Sequence, residues 1–239
     1  MAIAHGGALT AALHDLQHIF RDRLLAVVTY GAAQGQPDNA PAPSLVLVSA
    51  ITADDLDQCA ARAASWHRAG CATPLLLTRE EFAGSLDAFP IEYGEIVESH
   101  RLVYGVDPFA GLTIRVEDIR REIETLIKSH LVHLRENYIE CRGRQSEIGA
   151  LVADAAQGFA RLLRRLARLD ALPASSHADL IAYAAKRPVL DARTVGDILA
   201  MAGNANASGV DPVRLYPAYL KAVEQLWHFI DGWRSDARQ

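Results

Sequence analysis

The stretch "LLAVVTYGAAQGQPDNAPAPSLVLVSAI", Leu24 to Ile51, decides the fold. Leu24 to Tyr30 is a short apolar run rich in β-branched residues and predicts a buried strand. Gly31 to Pro43 predicts a loop, because it holds two Gly, three Pro and Asn39. Leu45 to Ile51 is a second apolar run and predicts a second buried strand. Strand, glycine turn, strand is how several phosphate-handling sites begin. Such sites place acidic residues on the second strand to hold a metal ion. This second strand has none.

Working outward, residues 8–23 space Leu9, Leu13, Leu16, Ile19 and Phe20 as one face of a helix. Thr52, with Asp55 three residues on, resembles a capping box and opens a helix to about Ala69, which Gly70 ends. "TPLLLT" (73–78) predicts a third strand, and "REEFAGSL" a short helix capped by Thr78. "FPIEYGEIVE" (89–98) alternates in part and predicts a fourth strand. "RLVYG" (101–105) predicts a fifth short strand or a turn. After Leu112 the pattern is helical. Residues 117–140 place Ile119, Ile123, Ile127, Leu131, Leu134 and Tyr138 at steps of three or four. Helices follow at 145–169, near 177–186, near 194–202 and from about 213 to 233. Strands mixed with helices and then a run of helices predict an α+β domain over residues 1–115 and a helical bundle domain over 116–239.

Composition bounds the chemistry. The chain has 239 residues, 50% of them hydrophobic, with 22% charged and a formal charge of −5. That is an ordinary globular composition with no global basic field, so nucleic acid is not an expected partner. Cys59, Cys71 and Cys141 are widely separated and form no CxxC pair, which argues against a disulfide framework or a zinc ribbon. With no signal-peptide pattern at the N-terminus and no long apolar run, the expected place is the cytoplasm and no membrane span is expected. The sequence has neither a P-loop nor a G-x-G-x-x-G fingerprint.

The order helix, apolar strand ending in Gly, variable loop, second strand, helix, third strand resembles the nucleotidyltransferase fold. The stretch "FPIEYGEIVESHRLVYGVDPFAGLTI" followed by "DIRREIETLIKSHLVHLRENYIE" also resembles bacterial proteins with a nucleotidyltransferase domain and a C-terminal helical domain. The resemblance spans nearly the whole chain. It implies a mixed sheet with flanking helices, a glycine turn for nucleotide phosphates, and an acidic–x–acidic pair opening the second strand, with a further carboxylate on a later strand. "TYGA" puts Gly31 at the family's glycine and Ala32 where Gly or Ser is expected. After a spacer over residues 33–41, the acidic pair falls on Ala42 and Ser44, with Pro43 between. The active-site motif is degenerate, because alanine and serine cannot replace two ionised carboxylates as magnesium ligands.

The expected nucleotide-binding residues are therefore Gly31, Ala32 and Ser44. No catalytic residue is assigned and no metal ligand is expected. Displaced acids are a second possibility: Asp38 in the loop, and Glu92 and Glu95 on the expected fourth strand. The pairs His14/His18 and His130/His133 have helical spacing but lack a partnering Glu or Cys. Arg62 and His67 match a ribonuclease-like Arg–four residues–His spacing, read here as chance. The leading expectation is a nucleotide-binding or scaffolding protein, with a nucleoside triphosphate as ligand and no cofactor. The alternatives are an active magnesium-dependent nucleotidyltransferase using displaced carboxylates, and a protein-interaction module or homodimer acting through the helical domain. An exposed seam at Leu226, Trp227 or Trp233 would support the last.

Overall fold

The computed structural model describes residues 4–31, 43–142, 144–172 and 174–233, with side chains of the first helix described from Ala12 on. The chain divides into two compact units, Met1–Ile114 and Arg115–Gln239.

The first unit is built on a four-stranded mixed sheet. Helix α1 (Ala4–Phe20) and a 3-10 turn (Arg21–Arg23) lead into β1 (Leu24–Thr29). Then come β2 (Ser44–Val48), α2 (Ala53–Arg68), β3 (Leu75–Thr78), α3 (Arg79–Gly84), α4 (Pro90–Ser99) and β4 (Arg101–Gly105). The strand order is β3-β2-β1-β4. β1 pairs antiparallel with both β2 and β4, while β2 and β3 run parallel.

Side chains alternate across a strand, so β1 and β2 each supply two apolar faces. On one face Leu24, Val27, Val46 and Val48 pack with Leu16, Ile19 and Phe20 of α1 and Trp66 of α2. On the other, Ala26, Val28, Leu45 and Leu47 pack with Phe82, Tyr93, Ile96 and Phe109. Gly105 ends β4 at φ +84°, and a Cβ there would stand 2.0 Å from the Leu25 carbonyl oxygen. Only glycine fits that approach.

One strand expectation is corrected: residues 89–98 are not a strand, because Pro90–Ser99 is helix α4. The alternation Phe89, Ile91, Tyr93 imitates period two. Pro90, Ile91, Tyr93, Gly94 and Ile96 are buried while Glu92, Glu95 and Glu98 are exposed at steps of three, which is the spacing of a helix face. Pro90 suits the first helical turn, where its missing N–H costs nothing. "RLVYG" is the fourth strand, and no fifth forms among the described residues.

Arg23 and Asp55 tie the start of β1 to the start of α2. The guanidinium donates to both carboxylate oxygens, Nη1 to Oδ2 at 2.6 Å and Nη2 to Oδ1 at 2.7 Å. Nη1 also reaches the Ala50 carbonyl at 3.2 Å. Asp55 completes a capping box with Thr52, accepting from its N–H and hydroxyl at 2.8 Å each. These donors hold the Asp55 carboxyl far below the ordinary aspartate range, the Arg23 hydrogen bond contributing most. A second tie joins α1 to α2: Asp15 of α1 accepts from the Trp66 indole at 2.9 Å and pairs with Arg62. Arg62 is thus a structural residue, and His67 bonds the Thr73 hydroxyl at 2.9 Å.

The second unit is helical: α5 (Val116–Glu140), α6 (Gln145–Leu169), α7 (His177–Ala185), α8 (Ala192–Met201) and α9 (Pro212–Asp231). α5 packs on α6 and α9, α7 on α8, and α8 on α6 and α9. Ser176, Asp191 and Asp211 cap α7, α8 and α9 with their side chains. The expected apolar seam on α9 is not open at Leu226, which is buried. Trp227 stacks on His228 and lies under the Lys128 ammonium.

His130 of α5 is largely withdrawn from water. Its Nε2 lies 2.8 Å from the Tyr219 hydroxyl, and its ring stacks near Phe159. Gly158 leaves room for it, since a Cβ there would come within 3.2 Å of the imidazole. Burial, with His133 and Arg161 adding positive charge nearby, pushes the imidazole down to about 4.

Two outcomes follow from these ties. Asp55→Asn lowers unfolding stability by more than Thr52→Ala, which costs about 1 kcal/mol as a lost cap; urea denaturation of both variants checks the order. The neutral form of His130 is favoured in the folded state, so the unfolded state binds the extra proton. Stability is therefore lost as pH falls from about 6.5 to about 4. His130→Gln removes that slope relative to wild type in denaturation series across the window, and equal slopes would refute the assignment.

Candidate functional site

β1 ends at Thr29 and β2 begins at Ser44, directly opposite it. The Tyr30 N–H donates to the Pro43 carbonyl at 3.3 Å and closes the base of the intervening loop. Gly31 follows at φ +67°, a left-handed conformation that favours glycine, with Pro43 Cγ 3.4 Å from where a Cβ would be. Gly31 and Ser44 are thus brought to one end of the sheet. Ala32, Asp38 and Ala42 lie outside the described residues.

Tyr30 is half-buried against the aromatic cluster of Phe82, Tyr93 and Phe109. The Phe82 ring is 4.9 Å from Tyr93 and 5.2 Å from Phe109. Burial pushes the Tyr30 hydroxyl up, with Tyr93 adding to it, so it stays protonated at neutral pH.

Magnesium, which the resemblance implies, requires carboxylate oxygens at this end of the sheet. The strands read LLAVVT, SLVLV, LLLT and RLVYG, and none carries an Asp or Glu. Ser44 is buried and offers one neutral hydroxyl. Glu92 and Glu95 stand on helix α4 instead of a strand, and both are exposed. No group of three or more His, Cys, Asp or Glu among the described residues is placed to hold a metal ion. The described residues at this end do not fit a magnesium ion.

The pair His130/His133 finds other uses. His133 bonds Glu136 at 3.0 Å, while His130 faces Tyr219.

The sequence reading missed a third strand at the site. Arg101 begins β4 opposite Thr29, so Ser44, Thr29 and Arg101 form a row across β2, β1 and β4. Nothing local in "RLVYG" announces this, because the pairing partner lies over seventy residues away in the chain. No helix among the described residues is long and apolar enough to cross a membrane.

No protein-family model matches the sequence, and no curated protein does. Among solved structures the chain is similar to a spectinomycin adenyltransferase from Enterococcus faecialis, whose crystal structure was determined with ATP and spectinomycin. The TM-score is 0.50 at 12% identity, covering 91% of this chain and 98% of that one. That likeness concerns the fold alone. The chain has a nucleotidyltransferase-like fold: a mixed sheet with flanking helices followed by a long C-terminal helical region.

Proposed function

We propose that this protein binds a nucleotide or acts as a scaffold on a nucleotidyltransferase-like fold, without metal-dependent transfer. The observation that carries the reading is the sheet itself, whose four strands hold no carboxylate. Transfer from a nucleoside triphosphate needs its charge neutralised and its reacting groups aligned, a task usually given to magnesium held by carboxylates. Binding needs less. The left-handed Gly31 and the closed Tyr30–Pro43 base provide a turn on which phosphate oxygens can approach backbone. The enterococcal adenyltransferase was solved with ATP, which supports nucleoside triphosphates as the ligand class.

The enzyme alternative requires Asp38, Glu92 and Glu95 to converge on one cation. Glu92 and Glu95 on the exposed face of a helix lend it no support. A role for the helical unit in binding a second copy or another protein has one observation in favour. Val132 and Ile139, seven residues apart on α5, are 48% and 71% exposed. A monomer in sedimentation at high concentration would remove the second-copy reading.

A thermal-shift panel of nucleoside triphosphates, each with and without magnesium, checks the main reading. A ligand that binds only the folded chain raises Tm by mass action. The expected result is a rise with at least one triphosphate, equal in magnesium and in EDTA. A rise that needs magnesium would move the assignment to the enzyme alternative, and no rise with any nucleotide would leave only the scaffold.

A further inference from the structure

We propose that Arg101 supplies, as a fixed side-chain cation, the positive charge that a magnesium ion would otherwise bring to a phosphate at the Gly31 turn. This rests on the nucleotide-binding reading above and says how a site without carboxylates holds an anion.

The argument starts from register. Ser44 is opposite Thr29 on β2, and Arg101 is opposite Thr29 on β4. Directly opposed residues of antiparallel strands project to the same face. Thr29 keeps the alternation of Val27, and Ser44 that of Val46 and Val48, so the row lies on the face carrying α1 and α2. Ser44 is also one of the two positions where the resemblance expects a carboxylate. Neighbouring strands are about 4.8 Å apart, so a phosphate over Thr29 has Ser44 on one side and Arg101 on the other.

A bulge puts Arg101 there. Val27 pairs with Tyr104 and Val28 with Leu102, so Val103 is an extra residue in β4. With strict pairing Leu102 would oppose Thr29, and Arg101 would fall on the opposite face. The inserted residue reverses that, and a bulge is a device by which a strand re-aims a side chain.

Charge supplies the second half. Arg101 is exposed. Among the described residues its side chain has no ion-pair or hydrogen-bond partner. Arg23 and Arg62 of the first unit are held by Asp55 and Asp15, whereas Arg21, Arg68 and Arg79 are exposed like Arg101 but do not stand in the row with Thr29 and Ser44. A planar guanidinium with no acceptor among the described residues, beside two hydroxyls and a left-handed glycine, is a phosphate-binding set. A carboxylate pair with magnesium presents positive charge only when the metal is bound, whereas Arg101 presents it always.

Binding of ATP and of inorganic tripolyphosphate, measured by calorimetry in EDTA on the full chain, tests this with Arg101→Gln and Arg101→Lys. Wild type is expected to bind ATP without magnesium, more weakly as salt rises. Arg101→Gln weakens binding about tenfold or more, the loss of a charge-assisted hydrogen bond, and Arg101→Lys falls between. The unliganded variants should keep the wild-type Tm, since the side chain is exposed, so lost binding is not lost folding. Magnesium-independent ATP binding that Arg101→Gln leaves intact overturns the role of Arg101 and spares the nucleotide reading. Arg101-dependent binding of tripolyphosphate without ATP binding keeps Arg101 and removes the nucleotide. Binding that requires magnesium overturns Arg101 as its substitute, and no binding of either probe overturns both.

Discussion

The middle of strand β1, Ala26 to Val28, is shut off from water. β2 and β4 take its two hydrogen-bonding edges, and an apolar layer covers each face. Such a strand can sit in only one register, because a one-residue slip would exchange the two faces and the residues that fit them. The Arg23–Asp55 pair fixes its entry by locking the preceding turn to the N-terminus of α2. Its exit is then fixed as well. Thr29 stands between Ser44 and Arg101, Tyr30 leans on the aromatic layer, and Gly31 begins the turn. The candidate site is therefore a consequence of how β1 is enclosed, although the layers packed on its two faces are apolar.

The fold and the chemistry separate at this point. The architecture needs apolar residues in the strands, and β1 and β2 supply them without interruption. A metal site on the same scaffold needs the strands to carry acids, whose charge must be held by a cation when it leaves water. The four strands among the described residues carry none, so they need no such compensation. Among the described residues the chain offers at the same end two hydroxyl groups, a left-handed glycine and an arginine, the set that the proposed anion site uses. In the proposed reading the electrostatic sense of the site is opposite to that of a carboxylate pair, on a fold of the same kind.

Much of the secondary structure was legible because it is local. The capping box at Thr52 and Asp55, the cap at Thr78 and the long apolar periodicity of α5 and α6 each lie within a few residues of one another. Residues 89–98 misled for the same reason. Phe89, Ile91 and Tyr93 alternate over a short window, and only the exposure of Glu92, Glu95 and Glu98 opposite the buried residues shows the helix. Asp55 was read as a cap, but its larger partner, Arg23, comes from thirty-two residues away.

The sequence by itself determined an α+β half, a helical half, the glycine after the first strand and the absence of acids on the second. These are properties of residue type and short-range spacing, which the chain carries wherever it goes. The tertiary structure alone decided what faces what: that Ser44 shares a row with Thr29 and Arg101, that a bulge at Val103 turns Arg101 onto that face, and that Glu92 and Glu95 leave a helix and not a strand. Strand pairing couples residues far apart in sequence through hydrogen bonds that any residue except proline can make, so the register that builds the site leaves no local mark.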